Sequence, residues 1–444
     1  MRNQPDAAAR ASSAPLTERR YVVPLVLITT LFLLWALGVN LNDILIPHLK
    51  AAFGLTDFQS SFIQIAFFGG YFLAALPAGW LMERIGYKKG ILTGLLLCST
   101  GALLFLPAAS SRVYGFFLFS LFVMASGQSF LEVAANPYVT TLGPPESAER
   151  RLNLTQSFNA VGAVLTPFIG AAFILTATEY SAEQVAQLPP VQLEAYRAAQ
   201  VSTVRVPYLV IAGIFLAVAM LIYFTHLPEV HEATDRRETD NALPGWSRLL
   251  GNGHLVRGVV AQFLYVGAQV GVASFVIRFA QHLEPGTSAK DAANYLKLHI
   301  IGFMLGRFAG SGIMKRVAPA HLLAVFAGGS LICAIVAVAS SGLPSVAAIV
   351  LIGFFHSIMF PTIFALSIKN LGRYTKRGSS LLVMSIIGGA VCPAIMGRIS
   401  DLSNIQRAFF VPLLCYGYVL YFAVAGHKPS LAPLTGSAIE SPSK

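Results

Sequence analysis

Charged side chains are scarce in this sequence. Asp, Glu, Lys and Arg make up 11% of its 444 residues, whereas soluble domains carry about 25%. Hydrophobic residues make up 55% of the chain. A water-soluble protein of this length would need more charge to solvate its surface, whereas lipid tails solvate apolar side chains directly. The deficit therefore excludes a soluble globular protein and indicates a membrane protein.

Cysteine is also scarce, and the motifs of common enzyme classes are missing. The four cysteines are Cys98, Cys333, Cys392 and Cys415. They lie in apolar segments without metal-ligand spacing, so we expect buried free thiols. The sequence has no glycine-rich phosphate loop after a strand and no nucleophile with an adjacent base. These absences argue against a membrane enzyme, and we expect neither a metal nor a cofactor.

The basic residues give the chain a formal net charge of +11. They form short clusters between apolar runs rather than a continuous basic face, which argues against a nucleic-acid partner. About two thirds of the 31 Lys and Arg residues fall in the two tails and in the loops that lie on the same side of the membrane as the tails. The positive-inside rule then predicts two cytoplasmic termini. We expect a multi-pass monomer in the cell inner (plasma) membrane, with the lipid bilayer as its surroundings.

Long apolar runs recur along the whole chain. A helix needs about 20 apolar residues to cross the hydrocarbon core, and twelve such runs follow one another, the second and third at Ser61–Met82 and Gly90–Ala109. The predicted fold class is an all-α integral membrane protein with twelve transmembrane helices in two halves. The predicted domains are a cytoplasmic tail at 1–20, six-helix halves at 21–226 and 255–428, a cytoplasmic linker at 227–254 and a second tail at 429–444. We also expect a short surface helix within Glu179–Arg205.

Four charged residues fall inside the predicted spans: Asp43, Glu132, Arg278 and Arg307. A charge at the centre of a spanning helix costs roughly 2.5–3.5 kcal/mol, so each needs a partner, a water-filled cavity or neutralisation. We interpret the two arginines as structural.

Glu132 belongs to a polar stripe on span 4. Gln128, Glu132 and Asn136 are each four residues apart, so they share one helix face. Apolar surroundings favour the neutral form of a carboxylic acid. The stripe therefore predicts that Glu132 carries a coupled proton, and the alternative is a structural carboxylate paired with an arginine. Such a residue is typical of a secondary transporter.

Several stretches resemble a known family. The run Gly79–Lys89 after span 2, echoed by Gly312–Pro319 after span 8, resembles the loop signature of the major facilitator superfamily. Longer stretches resemble its L-fucose–proton symporter (fucose permease) family of sugar transporters. They include Asn40–Pro47, Leu131–Tyr138, Gln262–Gln269 and Ile368–Gly372. The resemblance implies the major facilitator fold and import of a monosaccharide coupled to H⁺ by alternating access.

The resemblance also implies roles for single residues. The family carries a proton-linked or substrate-gating carboxylate at the position of Asp43, and its sugar-contacting positions match Trp35, Asn40, Gln156 and Asn159. The residues alone suggest a second sugar-binding stripe on span 7, in the other half, although such side chains can also merely bridge helices. This stripe is Gln262, Tyr265 and Gln269. At the cytoplasmic ends we expect a gate, or simple positive-inside flanks, made of Glu83, Arg84, Arg150 and Arg151.

The sequence departs from the fucose pattern at three positions near the expected cavity. Phe360 replaces a tyrosine, and Ala273 and Phe275 replace a tryptophan and a tyrosine. The expected substrate is L-fucose or a related sugar, and a glucose/galactose permease of the same branch is the alternative. A drug exporter and a membrane sugar sensor that does not transport are further alternatives.

Overall fold

A computed structural model of the chain describes residues 14–53, 57–173, 187–202, 205–228 and 249–428, together with Leu55 and Gln184. Most of the predicted linker and tails, and some side chains within the helices, lie outside this description. Spans 1 to 9 are formed by the helices Val22–Phe53 (span 1), Asp57–Ser111 (spans 2 and 3), Tyr114–Thr141 (span 4), Ala148–Phe173 (span 5), Arg205–Phe224 (span 6), Gly253–Leu283 (span 7), Ala289–Ile313 (span 8) and Pro319–Ala339 (span 9).

The last three spans are interrupted helices. Span 10 consists of Leu343–His356 and Met359–Ile368, span 11 of Thr375–Met384 and Gly388–Leu402 with a 3₁₀ turn between them, and span 12 of Ile405–Ala408, Phe410–Tyr421 and Phe422–Gly426. The predicted all-α fold with twelve spans is confirmed.

Spans 2 and 3 are continuous except at one residue. Gly86 has φ 79° and ψ 173°, which are not helical values, inside Asp57–Ser111. Side chains with a Cβ rarely adopt this region, so a glycine allows the chain to turn back there. The turn therefore lies within the Gly79–Lys89 run that the sequence singled out.

Spans 5 and 8 carry several polar side chains. Nine helical stretches among the described residues are long and apolar enough to cross a membrane, and Phe62–Ser111 contains two spans. Spans 5 and 8 are not among the nine, because they carry polar side chains such as Asn153 and Gln156 on one and Lys297 and Arg307 on the other. These two spans pack against each other. Their polar faces therefore meet where the two halves meet.

Both described ends of the chain lie at the same end of the bundle, which we call the termini face. The carbonyl of Leu16 accepts a hydrogen bond from Arg151 at the start of span 5. The carbonyl of Lys428 accepts one from Arg257 at the start of span 7. The sequence predicts that this face is cytoplasmic.

The opposite end carries the predicted surface helix, which is confirmed as Pro190–Ser202 and packs on span 1. Glu194 of this helix pairs with Arg112 at 2.6 Å. The four cysteines are buried and free, also as predicted.

Candidate functional site

The predicted stripe on span 4 is buried inside the bundle. Gln128 and Asn136 are fully buried, and Glu132 is 8% exposed. The Asn136 amide donates to Glu132 Oε2 at 3.1 Å, which confirms that the two side chains share a helix face. The carboxylate is thus held by a neutral donor in an environment with little water, where its protonated and ionised forms can both find a partner.

From Asn136 the hydrogen bonds continue into the other half. Gln156 Nε2 on span 5 donates to Asn136 Oδ1 at 2.9 Å. Arg307 Nη1 on span 8 donates to Gln156 Oε1 at 3.1 Å and also to the Gln156 carbonyl. Arg307 Nε donates to the Ser357 carbonyl on span 10 at 2.9 Å. We call Glu132, Asn136, Gln156, Arg307 and Ser357 the interhalf chain, since these residues join the two halves.

A second set of polar contacts connects span 1 to the same stripe. Trp35 Nε1 donates to the Tyr71 hydroxyl at 3.2 Å. That hydroxyl donates to Gln128 Oε1 at 3.4 Å, one turn from Glu132. The indole of Trp35 is buried and lies 5.3 Å from the ring of Phe32. In this arrangement Trp35 packs beside the polar stripe of span 4.

The other predicted residues on spans 1 and 5 bind main-chain carbonyls. Asn40 donates to the Ala36 carbonyl of its own helix at 2.7 Å. Asn159 donates to the Phe32 carbonyl at 3.3 Å and so bridges spans 5 and 1. The side chain of Asp43 lies outside the described residues, so its predicted role stays a prediction.

The predicted stripe on span 7 behaves differently at each of its positions. The Tyr265 hydroxyl donates to the His356 carbonyl at 2.9 Å, where the first helix of span 10 ends. Gln262 is fully buried, and its amide has no partner among the described residues. Gln269 is half-buried. The interruption in span 10 is therefore supported by Tyr265 and Arg307, which bind two successive carbonyls.

Three contacts close the termini face between the halves. Arg377 Nε pairs with Glu83 Oε1 at 2.7 Å, and Lys369 Nζ pairs with Glu149 Oε1 at 2.9 Å. Nearby, Asn153 donates to Thr362 Oγ1 at 3.1 Å. We call these contacts the termini-face gate; they are Glu83–Arg377, Glu149–Lys369 and Asn153–Thr362.

Comparison with known proteins identifies the fold. The sequence model of the Major Facilitator Superfamily matches residues 27–392. The chain belongs to the Major Facilitator Superfamily. This confirms the predicted family and a transporter architecture rather than an enzyme.

Individual superfamily members are similar over nearly the whole chain. The L-fucose-proton symporter of Escherichia coli (strain K12) is 43% identical over 91% of this chain and 93% of its own length. The glucose/galactose transporter of Brucella abortus biovar 1 (strain 9-941) is 41% identical over 93% of this chain and 96% of its own length. A crystal structure of the transporter FucP in the outward conformation superposes with a TM-score of 0.85 at 43% identity, covering 91% of this chain and 99% of that one.

Within this superfamily fold, the four residues of the predicted gate lie in different surroundings, and their role as a gate stays a prediction. Glu83 takes part in the termini-face gate, but the guanidinium of Arg84 lies 3.9 Å from the ring centroid of Trp80 on its own helix. Arg151 is buried, and it donates to the carbonyls of Val139 and Thr140 at the end of span 4, in its own half. Arg150 is half-buried. In the described contacts Arg84 and Arg151 thus lie outside the gate.

Sequence reasoning missed the partners in both sets of contacts. Glu149, Lys369 and Arg377 complete the gate, and Arg307 completes the interhalf chain. A usable signal was present for the gate, since Glu149, like Glu83, is an acidic residue directly followed by an arginine in a predicted cytoplasmic loop. For Arg307 the signal was its position inside a span, which the sequence analysis interpreted as structural.

Proposed function

We propose that this chain imports a monosaccharide together with protons by alternating access. The observation that carries the proposal is the interhalf chain, in which a buried carboxylate is connected through two amides to a guanidinium in the other half. A titratable group and sugar-type hydrogen-bonding groups thus share one network at the interface of the halves, where transporters of this kind bind their substrates. The likeness to a named L-fucose-proton symporter supports the same proposal.

Glu132 is the proposed proton carrier, with Asp43 as a second one. A neutral sugar gains nothing from the membrane potential, whereas each proton that crosses with it contributes about 2.3 kcal/mol per 100 mV. Protonation also removes the charge that makes Glu132 costly to move through a dry interface. Loading Glu132 from outside and releasing the proton inside therefore couples the gradient to sugar entry.

The proposed substrate is L-fucose or a related sugar. Gln156, Asn159 and Asn40 offer neutral donors and acceptors for hydroxyl groups, Trp35 offers an apolar ring, and Gln262 offers a buried amide without a partner among the described residues. Glucose or galactose is the second candidate, because the Brucella relative named for these sugars is nearly as similar, at 41% identity. Phe360 stands where the fucose pattern has a tyrosine. This loss of a hydroxyl group near the expected cavity is the reason to test glucose and galactose beside L-fucose.

In this proposal the protein is a monomer in the lipid bilayer of the inner membrane. The termini face is cytoplasmic, so the termini-face gate closes the path to the cytoplasm. Its opening, with closure at the other end, completes the transport step.

The test is pH-recorded uptake of a panel of labelled hexoses and deoxyhexoses by the purified protein in proteoliposomes. We expect at least one sugar to accumulate against its gradient and to make the external medium alkaline as it enters. Binding without uptake would favour a sensor. If well-folded protein moves protons with none of these sugars, the proposal is wrong.

A further inference from the structure

Arg307 connects groups that must separate when the two halves move. It lies on span 8 and donates to Ser357 in its own half, but also to Gln156 in the other half. The side chain is 4% exposed, and its guanidinium lies 4.6 Å from the ring centroid of Phe303. A buried guanidinium needs acceptors for its five donors, so losing the contact to Gln156 has a cost that something else must offset.

The amide of Gln156 is already engaged on both sides. Its Nε2 donates to Asn136 and its Oε1 accepts from Arg307. A sugar hydroxyl that binds this amide competes with one or both of these contacts. Sugar binding at Gln156 therefore weakens the hold of Arg307 on the N-terminal half.

Protonation of Glu132 acts in the same direction. Two titratable groups face Arg307 from neighbouring elements: Glu132 on span 4 and Tyr265 on span 7. An ionised Glu132 attracts the guanidinium towards the N-terminal half, and a protonated Glu132 does not. The proton and the sugar thus weaken the same connection between the halves by different means.

We propose that Arg307 is the positioning residue that makes opening of the interface depend on both proton and sugar. The inference rests on the proposed function and deepens it. Arg307 holds the halves together while Glu132 is ionised and Gln156 is free of sugar. When both ligands are present the hold is weakest, and the loaded carrier changes its access state.

The test compares Arg307→Gln and Arg307→Lys with the wild type, Glu132→Gln and a control in proteoliposomes. Arg278→Gln is the matched control, because Arg278 is an exposed arginine of the same half that also lies against a phenylalanine ring. Sugar exchange, net downhill uptake, accumulation and the pH change per sugar are measured separately. Gel filtration and thermal unfolding establish that each variant is folded.

For Arg307→Gln we expect exchange and net downhill uptake to persist, while accumulation falls at least roughly tenfold, within the range of measured coupling energies. Its downhill uptake should occur with little alkalinisation, as should that of Glu132→Gln, which has lost the titratable group of the interhalf chain. Arg307→Lys, which keeps the charge, should recover part of the accumulation. Arg278→Gln should behave as the wild type.

Two results would overturn the inference. The first is wild-type accumulation and pH change by Arg307→Gln. The second is a folded Arg307→Gln that no longer binds or exchanges sugar, since Arg307 would then be a sugar ligand. If the wild type itself shows no proton-coupled uptake of any sugar in the panel, the proposed function fails, and that result is separate from either of these.

Discussion

The interhalf chain and the termini-face gate both join the two halves, but they do so with different chemistry. The interhalf chain is buried and contains two side-chain amides. Its hydrogen bonds therefore depend on the protonation of Glu132 and on what Gln156 binds. The gate consists of two ion pairs and one hydrogen bond at the end of the bundle, and one of the ion pairs contains Lys369 with 55% of its side chain exposed. We infer that the interhalf chain responds to the proton and the sugar, whereas the termini-face gate sets how stable the closed state is.

The largest effect is expected from Glu132→Gln, which removes the titratable group of the chain. Glutamine is similar in size and can still bond to Asn136, so the fold and sugar exchange should persist. Accumulation against a gradient should be abolished, because the interhalf chain no longer contains a group that the proton gradient can load and unload. Uptake and exchange measured at equal protein amounts test this, and continued uphill accumulation by Glu132→Gln would refute the coupling assignment.

Gly79→Val tests whether closure of the gate depends on close approach of spans 2 and 11. A Cβ at Gly79 would lie 1.8 Å from Ser380 Oγ and 3.1 Å from the Lys376 carbonyl. A branched side chain should therefore hold the two spans apart, and overpacking of this kind costs typically 1–3 kcal/mol. We expect the uptake rate to fall by roughly tenfold, the equivalent of about 1.4 kcal/mol.

The control for this variant is Gly69→Val on the same span, where an added Cβ meets no atom within 4 Å. A cysteine placed at Thr362 in every variant compared, so that the loss of its own contact with Asn153 is common to all, reports whether the termini face is open, since the native cysteines are buried. Equal uptake by Gly79→Val and Gly69→Val would show that the contact with span 11 is not needed for transport.

The two ion pairs of the gate should differ in strength. Glu83 and Arg377 are 13% and 6% exposed, so Glu83→Gln takes the negative charge from beside a buried guanidinium, a change that costs roughly 3–5 kcal/mol in buried pairs. Glu149 is 5% exposed, but its partner Lys369 is 55% exposed and can be solvated by water when unpaired, so Glu149→Gln should cost less, about 1 kcal/mol. Labelling of the cysteine at position 362 should increase more for Glu83→Gln. The reverse order would mean that burial does not rank these pairs.

Part of this architecture follows from the sequence and part does not. Apolar length predicts most spans, because insertion depends on the local composition of each helix. The positions of spans 5 and 8 follow from the loops around them, since their polar faces are hidden against each other. The four-residue spacing predicts that Glu132 and Asn136 share a face.

The partners of these residues were harder to predict. Spacing within one helix does not say which other helix a side chain meets, so the contact of Arg307 with Gln156 was not expected. The same limit explains why the bond from Asn159 to the Phe32 carbonyl was not expected. Contacts between helices far apart in the chain require the tertiary structure.

The smallest effect is expected from Arg84→Gln, which separates the gate predicted from the sequence from the gate that the structure shows. Arg84 is exposed and lies over Trp80, an arrangement worth about 0.5–1 kcal/mol at exposed sites. We therefore expect less than a roughly fivefold change in uptake rate and no change in labelling at position 362. If Arg84→Gln opened the termini face as much as Glu83→Gln, Arg84 would belong to the gate after all. Its contact with Trp80 would then be a property of the closed state alone.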